Sequence, residues 1–284
     1  MRFSIILYII DILVCVFIIF EERKRPVATL AWIMIIFILP VVGLVLYIML
    51  SQLLARHRLS SLSSSMLMRD NPFLVDQKRL MSEGTFHFVN TQAAGWRQFI
   101  RFNHEYASAY LTQNNEIKIF TSGSECFESM YEDLRAAKKS INMEFFIMKP
   151  DYIGLEFIKL LTEKAREGVQ VRLLLDAMGA RYVKRREFTE FRKAGGELEY
   201  FFPPKIFKLD LKLNYRNHRK ITVIDNSIAY IGGLNAAKEY AGDSGRFKGW
   251  RDTHLRITGG CVYDIDTRFI MDWNFASLML KTAN

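Results

Sequence analysis

The sequence predicts an α/β protein: two N-terminal transmembrane helices, then one domain with a mixed, mostly parallel sheet and helices on both faces. Three observations carry that prediction. Apolar residues crowd the first fifty positions. From Glu116 onward, strand-length apolar runs alternate with stretches whose apolar residues recur at helical spacing. One run, Val169–Asp176, is rich enough in apolar residues to suit a strand covered on both faces. The 284 residues fit one domain of about 170 with added segments. The expected divisions are a transmembrane hairpin over 1–50, a linker and juxtamembrane helical segment over 51–112, and the α/β domain over 113–284.

At the front, Phe3 to Phe20 is apolar apart from Ser4 and Asp11, and Val27 to Leu50 is broken only by Thr29. Both runs approach the roughly 20 residues a helix needs to cross the hydrocarbon core. Glu21-Glu22-Arg23-Lys24-Arg25 separates them, and no small-residue cleavage site follows the first, so two spans suit better than a signal peptide. Pro40 and Gly43 fall inside the second run, where a neighbouring helix can compensate for a lost backbone bond. Asp11 is expected to be protonated or paired across the hairpin. The positive-inside rule does not choose an orientation: Arg23, Lys24 and Arg25 on one side of the second run compete with Arg56, Arg58 and Arg69 on the other.

Behind the hairpin, Ser51 to Asp70 reads as a Ser-rich linker able to lie on a membrane surface, and Arg97 to Thr112 as helical. Strands are expected at Glu116–Thr121, Ile141–Met148, Val169–Asp176, Glu197–Phe202, Lys220–Ile224, Ile228–Ile231 and Asp252–Thr258. Helices are expected through Phe127, Met130, Tyr131 and Leu134, through Ile158, Leu161 and Ala165 to a stop at Gly168, and from about Val262 to Leu280. A basic helix ending at Gly195-Gly196 completes the set. Three cysteines, Cys15, Cys126 and Cys261, are too few and too scattered for a disulfide framework or a zinc site.

Charge is concentrated. Between Arg181 and Lys220 stand twelve basic residues against five acids, most of the chain's net charge of +9. Such a segment beside a membrane anchor is drawn to anionic lipid by roughly 1 kcal/mol per cation near the surface. Within it, Phe201, Phe202, Ile206, Phe207 and Leu209 lie among lysines around Pro203-Pro204, a pattern suited to an interfacial loop that guides lipid toward a site.

The chemistry-bearing string is His218-Arg219-Lys220-Ile221-Thr222-Val223-Ile224-Asp225, followed by Ile231-Gly232-Gly233-Leu234-Asn235. Residues two apart on a strand share a face, so His218 and Lys220 can enter one pocket. Imidazole beside ammonium suits phosphodiester chemistry: one attacks phosphorus or carries a proton, the other balances charge on the non-bridging oxygens. Gly233 and its neighbour permit close backbone approach, and Asn235 is expected to open a helix whose N–H groups favour an anion. No His/Cys/Asp/Glu cluster has metal-ligand spacing, so neither a metal nor another cofactor is expected. Asp225 closes the string and joins His218 and Lys220 in the candidate catalytic set. Its offset of seven residues, however, turns it to the other side of the sheet, as a turn or hydrogen-bond anchor.

This string resembles the HKD motif of the phospholipase D superfamily. The likeness extends to Leu30-Ala31-Trp32, Leu39-Pro40, Gly43 and Tyr47 in the hairpin. It continues at Glu144, Leu174-Leu175-Asp176, Glu239-Tyr240, Trp250-Arg251-Asp252-Thr253-His254 and Asp272-Trp273, all similar to bacterial cardiolipin synthases. The resemblance implies a phospholipase D-type half-domain in a multi-pass protein of the bacterial cell membrane. It implies a metal-free, two-step transfer through a phosphohistidine that joins two phosphatidylglycerol molecules into cardiolipin and glycerol. Glu144, Gly233, Asn235 and Asp252 are the expected substrate-binding or histidine-orienting residues, Asp252 by analogy with the acid that contacts the histidine of the opposite half.

Such synthases carry two HKD motifs, and His57, His87, His104 and His254 begin no second one here. The expected partners are therefore anionic phospholipid, the membrane, and a second HKD half. That half comes from a homodimer or from a further C-terminal segment, which the hairpin favours. Nucleic acid is not an expected partner. A dimeric single-motif nuclease and an inactive truncated membrane protein are the alternative readings.

Overall fold

A computed structural model describes residues 12–20, 26–50, 71–201, 216–243 and 250–281. The expectations for Asp11, the 21–25 turn, the 51–70 linker and the interfacial residues Phe202, Ile206, Phe207 and Leu209 fall outside these residues. The described residues divide into two compact units, 12–20 with 26–50, and 71–201 with 216–243 and 250–281.

In the first unit, residues 12–20 are helical. The apolar run expected as one span is instead two helices, α1 (Pro26–Ile38) and α2 (Pro40–Leu50). Proline has no N–H for the helical ladder, and the break falls at Leu39-Pro40. Among the described residues no helix is long and apolar enough to cross a membrane.

The second unit opens with α3 (Pro72–Glu83), which sequence periodicity did not single out. Asn71 caps it by accepting a hydrogen bond from the Phe73 amide at 2.9 Å, Pro72 starts it, and Gly84 ends it at a φ of 74°. Next comes α4 (Arg97–Tyr106), shorter than the helix expected to reach Thr112.

The α/β core follows as β1 (Glu116–Phe120), α5 (Gly123–Ala136), β2 (Ser140–Phe145), α6 (Tyr152–Arg166), β3 (Gln170–Asp176), α7 (Thr189–Lys193), β4 (Glu197–Phe201), β5 (Ile221–Ile224), β6 (Ile228–Gly232), β7 (His254–Thr258) and α8 (Cys261–Lys281). The strands form one seven-stranded sheet in the order β1-β7-β6-β5-β2-β3-β4. Only β2–β3 and β3–β4 pair in parallel. The other four neighbours are antiparallel, so the sheet is mixed and mostly antiparallel, which corrects the expected mostly parallel sheet. The cause is local. Helical crossovers enforce parallel pairing early in the domain, whereas β5 and β6 are joined by a tight turn that can only reverse the chain.

Period-two alternation divides the sheet's faces. Ile141, Met143 and Phe145 of β2 and Val171, Leu173 and Leu175 of β3 join one apolar core with Phe127, Met130 and Leu134 of α5 and Phe157 and Leu161 of α6. The alternate residues are polar except Leu174 and face α8: Asn142 donates to Asp266 at 2.7 Å, and the Arg172 guanidinium lies 5.8 Å from the Trp273 ring. This polar face carries the candidate site. The expected basic helix before Gly195 is reduced to a short 3₁₀ turn and α7.

The β5–β6 turn explains Asp225. Asp225 and Asn226 both adopt positive φ, 52° and 53°, at the centre of a reversal that the Ser227 amide closes on the Ile224 carbonyl. The Asp225 carboxylate accepts from the amides of Lys138, Lys139 and Ser140 at 2.9, 2.7 and 2.9 Å, tying the turn to the start of β2. Burial alone would raise its pKa, but these amides and Lys139 overcome that and lower it. A depressed folded pKa contributes stability that is present above the unfolded value and lost as pH falls through the folded one. Asp225→Ala is therefore expected to lower stability by about 1 to 2 kcal/mol near pH 7, with the difference shrinking in acid, measured as urea midpoints in detergent.

Candidate active site

The site is built on residues 216–220, an extended segment that feeds β5, so His218 and Lys220 precede the strand rather than lie on it. Two buried carboxyls and one surface-edge ion pair hold this segment. Asp176, at the end of β3, accepts the Asn217 backbone N–H at 3.0 Å and caps the next turn through the Met178 and Gly179 amides at 2.9 and 3.3 Å. Glu144, on β2, accepts from the Asn217 side-chain amide at 3.2 Å. Arg219 pairs with Asp272 of α8 at 2.9 Å, and Arg268 shares the same carboxylate. Asn217 also braces its own neighbourhood, its Oδ1 accepting the Arg219 amide at 3.0 Å.

With its neighbours fixed, His218 projects outward. Its ring stacks on Phe146 at a centroid distance of 3.9 Å and an interplanar angle of 21°. The Lys220 ammonium sits 5.6 Å from the centre of the same ring and donates to the His218 carbonyl at 2.6 Å. His218 and Lys220 thus meet at the Phe146 ring, although both precede β5 and do not alternate along it. Burial pulls the Lys220 pKa below its ordinary value, and the Asp252 charge partly restores it.

Asp252 and Gly233 meet directly. A Cβ at Gly233 would fall 1.8 Å from Asp252 Oδ1, so only glycine leaves room for the carboxylate. The Gly233 amide donates to the Thr253 carbonyl at 2.9 Å, which fixes the approach. Beside them His254 is buried, with its pKa pushed down to about 4, by burial first and by Lys220, against the pull of Asp252. It is a neutral ring at physiological pH, and its Nδ1 accepts the Leu234 amide at 3.4 Å.

Two expected site residues are placed differently. Asn235 opens no α-helix; a 3₁₀ turn at Lys238–Ala241 follows, too short to collect the aligned amides expected there. Its side chain is occupied structurally, accepting the Ile147 amide at 2.9 Å and donating to the Tyr240 hydroxyl at 2.8 Å. Asp225 sits beyond the far end of β5 from His218, with its oxygens on backbone amides, so it does not join His218 and Lys220 as a catalytic group. Among the described residues no group of three or more His, Cys, Asp and Glu side chains could hold a metal ion.

Sequence reasoning passed over Asn217, Phe146 and the buried His254 as site residues. An asparagine directly before the histidine, and an acid ending an apolar strand at Asp176, were the available signals.

Glu144 is the most perturbed acid here. Its pKa is raised to about 8, by burial first and by Asp272 second, while Arg219, Asn217 and Arg268 pull the other way. Its Oε1 is buried without a hydrogen-bond partner, in keeping with a protonated acid. The unfolded chain releases this proton near the ordinary value of 4.5, whereas the folded protein holds it to about pH 8. Stability therefore declines as pH rises through that window. Glu144→Gln, neutral throughout and still able to accept from Asn217, should melt several degrees above wild type at pH 8 and show a smaller gain at pH 5. An equal difference at both pH values would contradict the raised pKa.

Residues 130–244 match the family described as cardiolipin synthase, PLD-like domain, and residues 9–52 match the family described as phospholipase D-nuclease N-terminal. The cardiolipin synthase of Oceanobacillus iheyensis is 37% identical over 270 residues, 95% of this chain and 56% of that protein. The major cardiolipin synthase ClsA of Bacillus subtilis is likewise 37% identical, over the same shares of each chain. The chain thus spans little more than half the length of these curated relatives. Among solved structures, Nuc of Salmonella typhimurium, a phospholipase D family member, aligns with a TM-score of 0.43 at 16% identity, over 57% of this chain and 95% of that one. That likeness is too slight to carry an argument. On the sequence matches, residues 130–244 are similar to the cardiolipin synthase PLD-like domains.

Proposed function

We propose that this chain supplies one half of the active site of a phosphatidyl transferase that joins two phosphatidylglycerol molecules into cardiolipin and glycerol. The observation that carries the reading is the convergence of His218 and Lys220 on the Phe146 ring, beside Asp252. A nucleophile or proton carrier and a cation then face the same space, as transfer at a phosphodiester needs.

In the first step one motif histidine attacks phosphorus, the phosphorus–oxygen bond to glycerol breaks, and the second histidine gives the leaving oxygen its proton. In the second step the hydroxyl of another phosphatidylglycerol loses its proton to that second histidine and attacks the phosphohistidine, which restores both rings. His218 takes one of these roles, and a second HKD half, from a paired copy or a further segment, takes the other. Lys220 balances charge on the non-bridging oxygens in both steps. Asp252, fixed over Gly233, sustains the Lys220 charge, and Asn235 positions the platform under His218 through Ile147. Attachment to the bacterial membrane through the first fifty residues would bring anionic lipid to the site.

The test uses detergent-solubilised protein with both motifs present, given labelled phosphatidylglycerol and, separately, single-stranded DNA. Cardiolipin formation is expected, and His218→Ala should abolish it. Lys220→Ala should lower kcat by roughly a hundred- to a thousandfold, the usual effect of losing one charge-stabilising group. Cleavage of DNA with no transfer on lipid would instead establish the nuclease reading. Folded Asp225→Asn protein should keep its activity.

A further inference from the structure

We propose that residues 26–50 enter the bilayer as a re-entrant helical hairpin, with its tip at Leu39-Pro40 in the hydrocarbon and both its ends on the same membrane face.

The first support is that α1 and α2 double back on each other. Trp32 and Tyr47 lie fifteen residues apart, about 22 Å along one straight helix. Their rings are in edge-to-face contact at 5.4 Å. Gly43 packs against the backbone seven residues earlier, where an added Cβ would fall 2.7 Å from the Ile36 Cα. Ile36 and Tyr47 share one buried cluster, with Trp32 packed on it. The two arms, of 13 and 11 residues, are roughly 20 and 17 Å long, whereas the hydrocarbon core is about 30 Å thick. Arms of that length pass the midplane and return.

The second support is the chemistry of the turn. Turns that reach water draw chiefly on Gly, Pro, Asn, Asp and Ser. This one reads Ile38-Leu39-Pro40-Val41-Val42, with no polar side chain. Phe37, Ile38, Leu39, Val41 and Val42 are all at least half exposed in the isolated chain, an apolar cap that only hydrocarbon would cover without cost. The backbone suits that setting: Leu39 N–H bonds the Ile35 carbonyl at 2.9 Å, Gly43 N–H bonds the Leu39 carbonyl, and Pro40 brings no donor that lipid would leave unpaired.

The third support comes from charge. If 26–50 crossed the membrane once, Arg23, Lys24 and Arg25 would lie on one side and Arg56 and Arg58 on the other, against the positive-inside rule. A hairpin that returns puts both basic clusters on one face, beside the anionic headgroups, and the conflict disappears.

The experiment reads which side each end occupies. The full chain, with Cys15, Cys126 and Cys261 changed to alanine, is given a single cysteine by Lys24→Cys, Arg56→Cys or Leu39→Cys. Protoplasts and inside-out vesicles of a bacterial host are then treated with a membrane-impermeant maleimide. The expected result is that Lys24→Cys and Arg56→Cys label only in inside-out vesicles, while Leu39→Cys labels in neither preparation until detergent is added. Labelling of Lys24→Cys and Arg56→Cys in opposite preparations would overturn the proposal. So would labelling of Leu39→Cys from the face opposite the other two. Should Leu39→Cys fail to accumulate, Phe37→Cys in the same exposed cap gives the same reading.

Discussion

Everything at the candidate site depends on how Asn217 is held. Its backbone N–H goes to Asp176 and its side-chain amide to Glu144, so strands β3 and β2 both grip the residue that precedes His218. The segment 216–220 has no ladder of its own, and an extended segment without one is ordinarily free to move. The ties from two buried acids, and the ion pair of Arg219 with Asp272, replace that ladder. The arrangement costs stability, because burying acids is unfavourable unless each is bonded or protonated. Glu144 meets that condition by keeping its proton and Asp176 by accepting three amides.

The sheet explains why the ties fall there. β2 is the strand where parallel pairing on one side meets antiparallel pairing on the other. One of its faces packs on α5 and α6 in the apolar core, which leaves the opposite face for Asn142 and Glu144 beneath α8. The polar residues that fix the site thus occupy the face that the main core does not need.

Element positions were largely legible in the sequence because alternation and helical spacing are short-range signals, and β1, α5, α6, β3 and α8 fell close to where the periodicity put them. Strand direction was not legible. Parallel pairing was inferred from alternating elements, while the reversal at Asp225-Asn226 depends on backbone conformation that no spacing encodes. The same limit applied to the site. His218, Lys220 and Asp252 were visible as a motif and its likeness, but Phe146, Asn217 and His254 become site residues only once distant strands are brought together. The apolar run at 27–50 reads as one segment for a related reason: hydropathy does not report where a helix breaks, and the structure divides it into α1 and α2.

Asn235 links two parts of the domain that also meet at the Met148–Ala236 bridge. One end of its amide holds Ile147, next to the ring under His218, and the other holds Tyr240 in the 3₁₀ turn. Lys149 and Glu239 fasten the same two strips of chain a few residues further on. The Lys238–Ala241 turn is thereby tied to the strip of chain that carries Phe146, and the His218 imidazole stacks on that ring. The setting of the His218 ring thus rests on contacts that lie outside the string from His218 to Asp225.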